Sequence, residues 1–344
     1  MMTTQKLTLL LAVLLSVTPK PAHAGPTLQG ASSRTVLLVT DSACESKIPA
    51  LLDQWESDRR AEGWKVLKRI VSPAEASDLR AKLQSLHPDH TFLVGDNVPF
   101  LHVVANPDGH TDREIVADYK FVQGAEATPF GAIGRIWFKS QVADVDSIGL
   151  YKRYFEKRHT WPKDRIRFGP MVTFDDHLSY LTAGVEWAKR VTGQAPPDRI
   201  EHLHLLPDTS DGEIKRRAKS PRLFEIVFSG GQPFVDPGGL YYFGGPAAWR
   251  DADPANPGAG PKIAILGVYA SSACGIEVKN SFLTAVLTTS YTVASFYNMR
   301  GVFAFGPMFT GSTIGDCGRA SAQEGFYISS VYGDPTLTIT SARK

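Results

Sequence analysis

The chain has 344 residues, of which 43% are hydrophobic and 21% are charged, so its composition is that of a globular protein and not of a disordered one. Its formal net charge is +2, and Lys6 and Lys20 in the first 24 residues account for all of it. Without these 24 residues the chain has a formal net charge of zero. A neutral chain gives no electrostatic reason to expect a nucleic acid or an anionic membrane as a partner.

The first 24 residues are organised like a secretion signal. Lys6 precedes an apolar run, residues 7–17, that is too short to span a bilayer, and small residues follow at Ala22 and Ala24. The alternative is an uncleaved membrane anchor, which the length of the run disfavours. We therefore predict that the mature chain begins at Gly25, has no transmembrane segment, and is exported to the periplasm or the extracellular space.

The first half of the mature chain predicts alternating strands and helices. Residues 25–33 are expected to form a flexible N-terminal arm. Apolar runs predict strands at residues 35–40, 64–70, 90–96 and 131–138. Helical spacing predicts helices at residues 48–63 and 140–156. Ser72 and Glu75 have the spacing of a capping box that begins a further helix, and residues 97–128 are predicted to be a polar loop.

The second half repeats this pattern after a charged segment, residues 158–164, that we interpret as a linker. Strands are predicted at residues 169–174, 199–206, 223–229, 262–270, 301–306 and 333–340. Helices are predicted at residues 181–193, from Ser210 onward, and at 280–298. The sequence therefore predicts an α/β fold with two side-by-side subdomains, residues 34–157 and 165–341, each with a mostly parallel sheet flanked by helices.

Two of these strands end in sequences that suggest a site. The strand at 223–229 runs into Gly230 and Gly231, and the strand at 262–270 is followed by Cys274. Ligands of open parallel sheets bind beyond the carboxyl ends of the strands. A thiol in such a place becomes a strong nucleophile only when a base or another feature lowers its pKa.

Several stretches, taken together and in this order, resemble the gingipain-type cysteine peptidases, the C25 family of the caspase-like clan. The matching stretches are residues 92–100, 118–119, 132–136, 172–177, 270–275, 280–287 and 332–337. The resemblance implies two caspase-like subdomains and, in the second, a Cys-His dyad on neighbouring strands. The Cys follows one strand, and the His follows the other within a Gly-His-Gly turn, so the strands before Gly230 and Cys274 are expected to be adjacent. It also implies that Cys274 is at the nucleophile position, with Gly230, Gln232 and Gly275 at positions that would face a developing oxyanion.

The chain departs from the family at the histidine. Where the family has Gly-His-Gly, this sequence has Gly230-Gly231-Gln232, so Gly231 takes the position of the His, or the His is deleted and both glycines are kept. The nine histidines of the chain are His23, His87, His90, His102, His110, His159, His177, His202 and His204. None follows residue 204, so neither register supplies an imidazole.

His177 is the best substitute base in the sequence. It follows a predicted strand of the second subdomain, and the carboxylates of Asp175 and Asp176 would orient its ring or raise its pKa. The alternative is an exposed loop histidine with no role in catalysis.

Other residues leave further alternatives open. His202 and His204 share one face of a predicted strand, as a packing pair or as two ligands of a metal site for which no third ligand is indicated. Asp175 and Asp176 are either a calcium site or a solvated turn. Cys44 and Cys317 are either a disulfide or two free thiols. No metal site or cofactor is predicted.

The sequence leads to three hypotheses about function. The first is an exported gingipain-like pseudoenzyme that binds a peptide or protein ligand without cleaving it. The second is an active cysteine endopeptidase in which Cys274 is the nucleophile and His177 the base. The third is an unrelated doubly wound binding or hydrolase domain, which neither a Gly-x-Ser-x-Gly elbow nor a phosphate-binding loop supports.

Overall fold

The computed structural model describes most of the chain after residue 33. The described residues are 34–67, 69–71, 75–105, 113–124, 129–139, 146–168, 172–176, 200–204, 221–229, 262–270, 282–298, 305–323 and 329–340. The strands among them are β1 (Thr35–Thr40), β2 (Lys65–Val66), β3 (Ile70–Val71), β4 (His90–Val94), β5 (His102–Ala105), β6 (Arg113–Val116), β7 (Ala132–Ile136), β8 (Val172–Asp176), β9 (Ile200–His204), β10 (Arg222–Ser229), β11 (Ile263–Ala270), β12 (Ala294–Asn298) and β13 (Ser329–Gly333).

Six α-helices fall within the described residues. They are α1 (Ser42–Lys47), α2 (Pro49–Ala61), α3 (Ala76–Leu86), α4 (Ser147–Asp164), α5 (Phe282–Ala285) and α6 (Ile314–Gln323). Shorter 3-10 helices span Asp118–Val122, Arg165–Phe168, Val286–Thr288 and Gly306–Thr310. Within the described ranges, no helix is long and apolar enough to cross a membrane.

Eleven of the described strands form one continuous sheet. Its order is β2-β1-β4-β7-β13-β12-β11-β10-β8-β9, and β3 also pairs with β1. Among these pairs only β12 and β13 are antiparallel. The predicted α/β class with a mostly parallel, helix-flanked sheet is confirmed. The strands that we assigned to the two subdomains lie side by side in it and meet where β7 pairs with β13.

The two sets of strands run in opposite directions. Strand β13 is parallel to β7 but antiparallel to β12, so β1, β4 and β7 run opposite to β8, β10, β11 and β12. The edge at which β8, β10 and β11 end is therefore the edge at which β1, β4 and β7 begin.

Alternating apolar side chains bury both faces of the sheet. In β1, Val36 and Leu38 pack with α2 and α4 in one cluster, while Leu37 and Val39 pack with α3 in another. The first of these clusters continues into the second half through Leu266 and other residues, so it crosses the junction between the two sets of strands. The opposite face of the second set is covered by a third cluster that includes residues of α6.

Most predicted strands exist close to their expected positions, but several segments differ. The strand predicted at 64–70 is the two short strands β2 and β3, and of the strand predicted at 301–306 the described residues 305 and 306 are not strand. The helices predicted at 181–193 and from Ser210 onward lie outside the described residues. Residues 280–298 form the short α5, a 3-10 turn and then β12 instead of one helix. The closing strand is β13 at 329–333 instead of 333–340, and residues 158–164, which we expected to be a linker, are the last part of α4. The predicted polar loop contains the β5–β6 hairpin and the 3-10 helix Asp118–Val122.

Local chemistry explains the largest of these differences. The hydroxyls of Thr288 and Thr289 donate to backbone carbonyls three residues back, and that of Thr292 donates to the carbonyl of Ile263 in β11 at 2.7 Å. Side-chain bonds of this kind compete with helix, and the aromatic side chains of Phe296 and Tyr297 in β12 favour a strand. At the predicted capping box, α3 begins at Ala76 with Glu75 as an N-cap that makes no side-chain bond, while Ser72 lies outside the described residues.

Candidate functional site

The two strands that precede the predicted nucleophile and the predicted histidine turn are neighbours in the sheet. Strands β10 and β11 are parallel over seven residue pairs, from Arg222↔Ile263 to Ser229↔Ala270. Because their last residues are paired, both strands end at the same edge and in the same register. The backbone therefore has the arrangement that a dyad on adjacent strand ends requires.

Strand β8 lies on the other side of β10 and ends at the same edge. Its last residue, Asp176, pairs with Phe228, one residue before the end of β10. Neighbouring strands are about 4.8 Å apart, so β8 is about 10 Å from β11, whereas β10 is about 5 Å away. A base that follows β8 has roughly twice as far to reach as one that follows β10.

Buried side chains pack both faces of the sheet in the central part of these two strands. Phe224 and Ile226 of β10 belong to the cluster on one face, and Leu266 and Val268 of β11 belong to the cluster on the other. Gly267 allows close packing here, because a Cβ at that position would lie 2.3 Å from Cζ of the Phe296 ring. Strands enclosed in this way present their ends rigidly, which suits a site built beyond them.

The predicted site residues themselves lie outside the described residues. These are Cys274, Gly275, Gly230, Gly231, Gln232 and His177. In the sequence, Gly230 is the first residue after β10, His177 the first after β8, and Cys274 the fourth after β11. The structure thus places the three strand ends from which these segments leave.

Two described histidines lie in strands that are three or four positions from β11 in the sheet. His204 ends β9, which is three strands from β11, or about 14 Å, at the same edge. His90 begins β4, which is four strands from β11, or about 19 Å, also at this edge. Burial lowers the pKa of His90 to about 4, and its Nε2 lies 2.8 Å from the hydroxyl oxygen of Thr313. His90 therefore holds the fold in place and does not act as a base.

Four other residues that the sequence singled out lie in the strands β8 and β9. Asp175 and Asp176 are the last two residues of β8 and pair in the ladder, so they are not a solvated turn. His202 and His204 lie in β9, opposite Phe174 and Asp176 in backbone register. Among the described residues, no group of three or more His, Cys, Asp or Glu side chains is placed to hold a metal ion.

Cys44 and Cys317 do not form a disulfide. Both are free and buried, and they belong to different hydrophobic clusters. Burial raises the pKa of each thiol well above its usual value, and the charges of Asp41 near Cys44 and of Asp316 near Cys317 raise it further. Both thiols are therefore protonated and unreactive in the folded chain.

Three of the stretches that carry the family resemblance meet at Arg135. Its guanidinium donates to both carboxylate oxygens of Asp118, at 2.7 and 2.8 Å, and to the carbonyls of Val98 and Pro99 at 3.0 and 2.8 Å. Its Cζ lies 4.2 Å from the centroid of the Phe100 ring. The motif residues thus form one buried network that attaches the segment after β4 to β7.

A second buried network surrounds Asp334, from the last of the resembling stretches. Its Oδ2 accepts hydrogen bonds from Arg59 at 2.7 Å, Arg158 at 2.8 Å and the indole of Trp55 at 2.9 Å. Its Oδ1 accepts the hydroxyl of Thr336 at 2.7 Å. Burial alone would raise the pKa of Asp334, but the two arginines lower it to about 2, so the group is a carboxylate at neutral pH. The hydrogen bonds of Asp334 therefore connect α2 and α4 to the segment after β13.

Sequence reasoning missed the arginines of both networks. A signal for one of them was present, because Arg59 follows Trp55 by four residues and so lies on the buried face of α2. No local signal marked Arg135, which stands in an otherwise apolar strand, because its partner depends on a segment that folds back from elsewhere in the chain.

Comparison with solved structures gives the fold that the family resemblance predicted. The crystal structure of the Arg-specific cysteine proteinase gingipain R matches with a TM-score of 0.64 at 12% sequence identity, covering 90% of this chain and 79% of that one. The fold is gingipain-like. No protein-family model matches the chain, and no curated protein matches it.

Two ABC-transporter proteins match far less well. A sugar-binding protein from Bacillus halodurans matches at 9% identity with a TM-score of 0.20, covering 77% of this chain and 81% of that one. A periplasmic ribose ABC transporter from Conexibacter woesei matches at 11% identity with a TM-score of 0.22, covering 89% and 93%. These scores are too low to indicate a shared fold. The likeness to gingipain R indicates a caspase-like fold for this chain.

Proposed function

We propose that this chain is an exported, gingipain-like homologue of the cysteine peptidases that binds a peptide or protein ligand and does not cleave it. The observation that carries the proposal is the pairing of β10 with β11 up to Ser229 and Ala270. In a working dyad these two strand ends would lead to the histidine and the cysteine. Here one leads to Cys274 and the other to Gly230 and Gly231.

The chemistry of the thiol supports a binding role. An unassisted cysteine has a pKa of about 8.5, so at neutral pH only a few per cent is thiolate. General-base assistance typically contributes about 10²- to 10⁴-fold, and its loss leaves little turnover. A strand-end site without a base can still bind an extended peptide, but its thiol is not activated as a nucleophile.

A second candidate is an active peptidase that uses His177. The observation in its favour is that β8, which His177 follows, neighbours β10 and ends within one residue of the same level. The observation against it is the distance of about 10 Å between β8 and β11, twice the spacing of adjacent strands. For His177 to act, the segments after β8 and β11 would have to cover this extra separation.

Labelling of Cys274 by a peptidyl electrophile tests both candidates. At pH 6 a thiol with a pKa of about 8.5 is roughly 0.3% thiolate, so an unassisted cysteine reacts slowly. Cys44 and Cys317 are buried, so labelling of the folded chain reports on Cys274, and Cys274→Ala is the matched control. Electrophiles with Arg and with other residues before the reactive group are compared, because gingipain R is Arg-specific.

The two candidates predict opposite labelling rates. The binding role predicts a rate at pH 6 no higher than that of an unstructured peptide containing cysteine. Fast stoichiometric labelling that is lost in His177→Ala would establish the second candidate. If the chain binds peptides without cleaving them, the Cys274→Ser variant should bind a library of extended peptides as tightly as the wild type does, measured by fluorescence anisotropy.

Export is proposed from the N-terminal sequence. The apolar run at 7–17 and the small residues at Ala22 and Ala24 are followed by Gly25. N-terminal sequencing of the protein secreted by its host should give Gly25 as the first residue. Recovery of Met1 in the exported form would contradict cleavage.

A further inference from the structure

The helix that follows the segment carrying Cys274 is bonded at its far end to α4. Helix α5 and the 3-10 helix Val286–Thr288 follow each other without a break and begin eight residues after Cys274. At their carboxyl end, Nζ of Lys157 donates to the carbonyl of Leu287 at 2.8 Å and to that of Thr289 at 2.6 Å. The last carbonyls of a helix have no partner within it, so a lysine from outside can satisfy them. The segment between β11 and α5 is therefore anchored by the sheet at one end and by this helix at the other.

Lys157 is the cationic part of a contact that is otherwise apolar. Leu283, Val286 and Leu287 of the two short helices belong to the same buried cluster as Tyr154 of α4. The Nζ of Lys157 lies 5.7 Å from the centroid of the Tyr154 ring. The amine is thus removed from water where the helix packs on α4, and a charge on it is costly there.

No acid holds the proton on Lys157. The 3-10 helix Val286–Thr288 has no ionisable side chain, and Lys152, Glu156 and Lys163 of α4 are exposed. The other charged groups of α1, α2 and α4 with a known ionic partner are Glu45, Asp53 and Glu56 with Arg69, Arg60 with Glu56, Asp58 with His159, Arg59 with Glu62 and Asp334, and Arg158 with Asp334. None of them affects the pKa of Lys157, which removal from water alone lowers to about 7.

This amine keeps fewer protons when the helix is docked on α4 than when it is released. The docked amine has a pKa of about 7, whereas a solvated lysine has a pKa of about 10.4. Between these values the released state binds more protons, so raising the pH favours the docked state. A neutral amine still has two N–H groups, and the carbonyls of Leu287 and Thr289 accept both. Release is therefore most frequent at and below pH 7 and becomes rarer as the pH rises.

We propose that Lys157 is a positioning residue that latches the helix after Cys274 to α4, and that gain of a proton by this amine favours release of the latch. The two hydrogen bonds and the apolar packing define the latch, and the proton changes how often it opens. The consequence for Cys274 rests on the proposed function, because it concerns the support of the same strand-end site.

Hydrogen exchange of residues 283–293, measured by mass spectrometry and corrected for the intrinsic effect of pH, tests the latch. In the wild type the equilibrium constant for opening should fall about 20-fold between pH 7.5 and pH 9. Lys157→Arg keeps its charge throughout this range and Lys157→Met has none, so neither should show this fall. Lys163→Met, at an exposed position of α4, is the matched control and should follow the wild type.

Two results would overturn the latch. One is an equal dependence on pH in the wild type and in Lys157→Met. The other is equal protection of residues 283–293 and of β1, because the helix would then open only when the whole fold does.

Reaction of Cys274 with iodoacetamide tests whether the latch positions the site. The rate is expressed per thiolate, with the thiolate fraction followed by ultraviolet absorbance, and Cys274→Ala gives the background from the buried Cys44 and Cys317. This rate should change between pH 7.5 and pH 9 in the wild type and stay constant in Lys157→Arg. A constant rate in the wild type would overturn the positioning role. Neither measurement requires a bound peptide, so failure of the latch is distinguishable from failure of the proposed function.

Discussion

At the scale of single residues, the described part of the fold depends on a few buried charges. Asp334 is fully buried and accepts hydrogen bonds from two arginines and a tryptophan. Buried pairs of this kind contribute little net stability when compared with an apolar replacement, but breaking one leaves an uncompensated charge. Asp334 therefore determines how α2, α4 and the chain after β13 fit together.

Asp334→Asn is expected to destabilise the protein strongly. Asparagine keeps the shape but removes the charge, so the guanidinium group of Arg158 stays buried without its acid, and Arg59 keeps only Glu62. The expected loss in the free energy of unfolding is about 3–5 kcal/mol, measured by urea titration. Asp58→Asn is the control, because its partner His159 is half-exposed and a surface pair contributes about 1 kcal/mol or less. Equal effects of the two substitutions would refute this role for Asp334.

Lys157 should make the free energy of unfolding rise with pH in the alkaline range. Its part-buried ammonium donates to the carbonyls of Leu287 and Thr289 at 2.8 and 2.6 Å, and removal from water lowers its pKa to about 7. The unfolded lysine has a pKa of about 10.4, so between pH 7 and pH 10 the unfolded state binds more protons and stability rises with pH. Below pH 7 the cost of burying the charge is fully present.

Urea unfolding at pH 7, 8.5 and 10 checks this dependence. Lys157→Met keeps an apolar stem without the amine, and its stability should rise less over this range than that of the wild type. Lys163→Met, an exposed position on the same helix, should follow the wild type. If the free energy of unfolding rose equally with pH in the wild type and in Lys157→Met, the lowered pKa of Lys157 would be contradicted.

At the scale of elements, periodicity predicted the strands that are buried on both faces. The apolar runs of β1, β4, β10 and β11 were located within a few residues, because a strand covered on both faces needs a nearly continuous apolar sequence. Residues 280–298 were mispredicted as one helix, since the spacing of their apolar residues also suits a helix. The hydroxyl of Thr292 bonds to a neighbouring strand, and such a tertiary contact has no local signature.

Gly267→Ala is expected to weaken the pairing of the central strands. The added Cβ would lie 2.3 Å from Cζ of Phe296 and 2.7 Å from Cδ1 of Ile226, both of which are fully buried. Overpacking of this kind typically costs about 1–3 kcal/mol, measured as a loss in the free energy of unfolding. Phe296→Leu in the Gly267→Ala background should recover part of it by removing the clashing ring atom. Additive losses in the double variant would show that the clash is not the cause.

At the scale of the whole molecule, the adjacency of β10 and β11 was predicted from the sequence, while the opposite directions of the two sets of strands were not. Adjacency followed from the family resemblance, in which the Cys and the His follow neighbouring strands. The reversal depends on β13, a strand from the end of the chain that inserts between β7 and β12. Pairing between residues so distant in sequence leaves no periodic signal in either strand. The site residues after these strands remain predictions.

The continuous sheet predicts that the two sets of strands unfold together. Strand β13 pairs with β7 on one side and β12 on the other, and Asp334, which follows it, pairs with arginines of α2 and α4. A fragment of residues 34–168 would lack β13 and Asp334. Strand β7 would then have an open edge, and the buried arginines would lose their bonds to Asp334. Urea transitions of the whole chain followed by far-UV circular dichroism and by tryptophan fluorescence should therefore coincide, and a fragment of residues 34–168 should show no cooperative transition. Two separated transitions, or a fragment that folds cooperatively, would show instead that each set of strands is stable without the other.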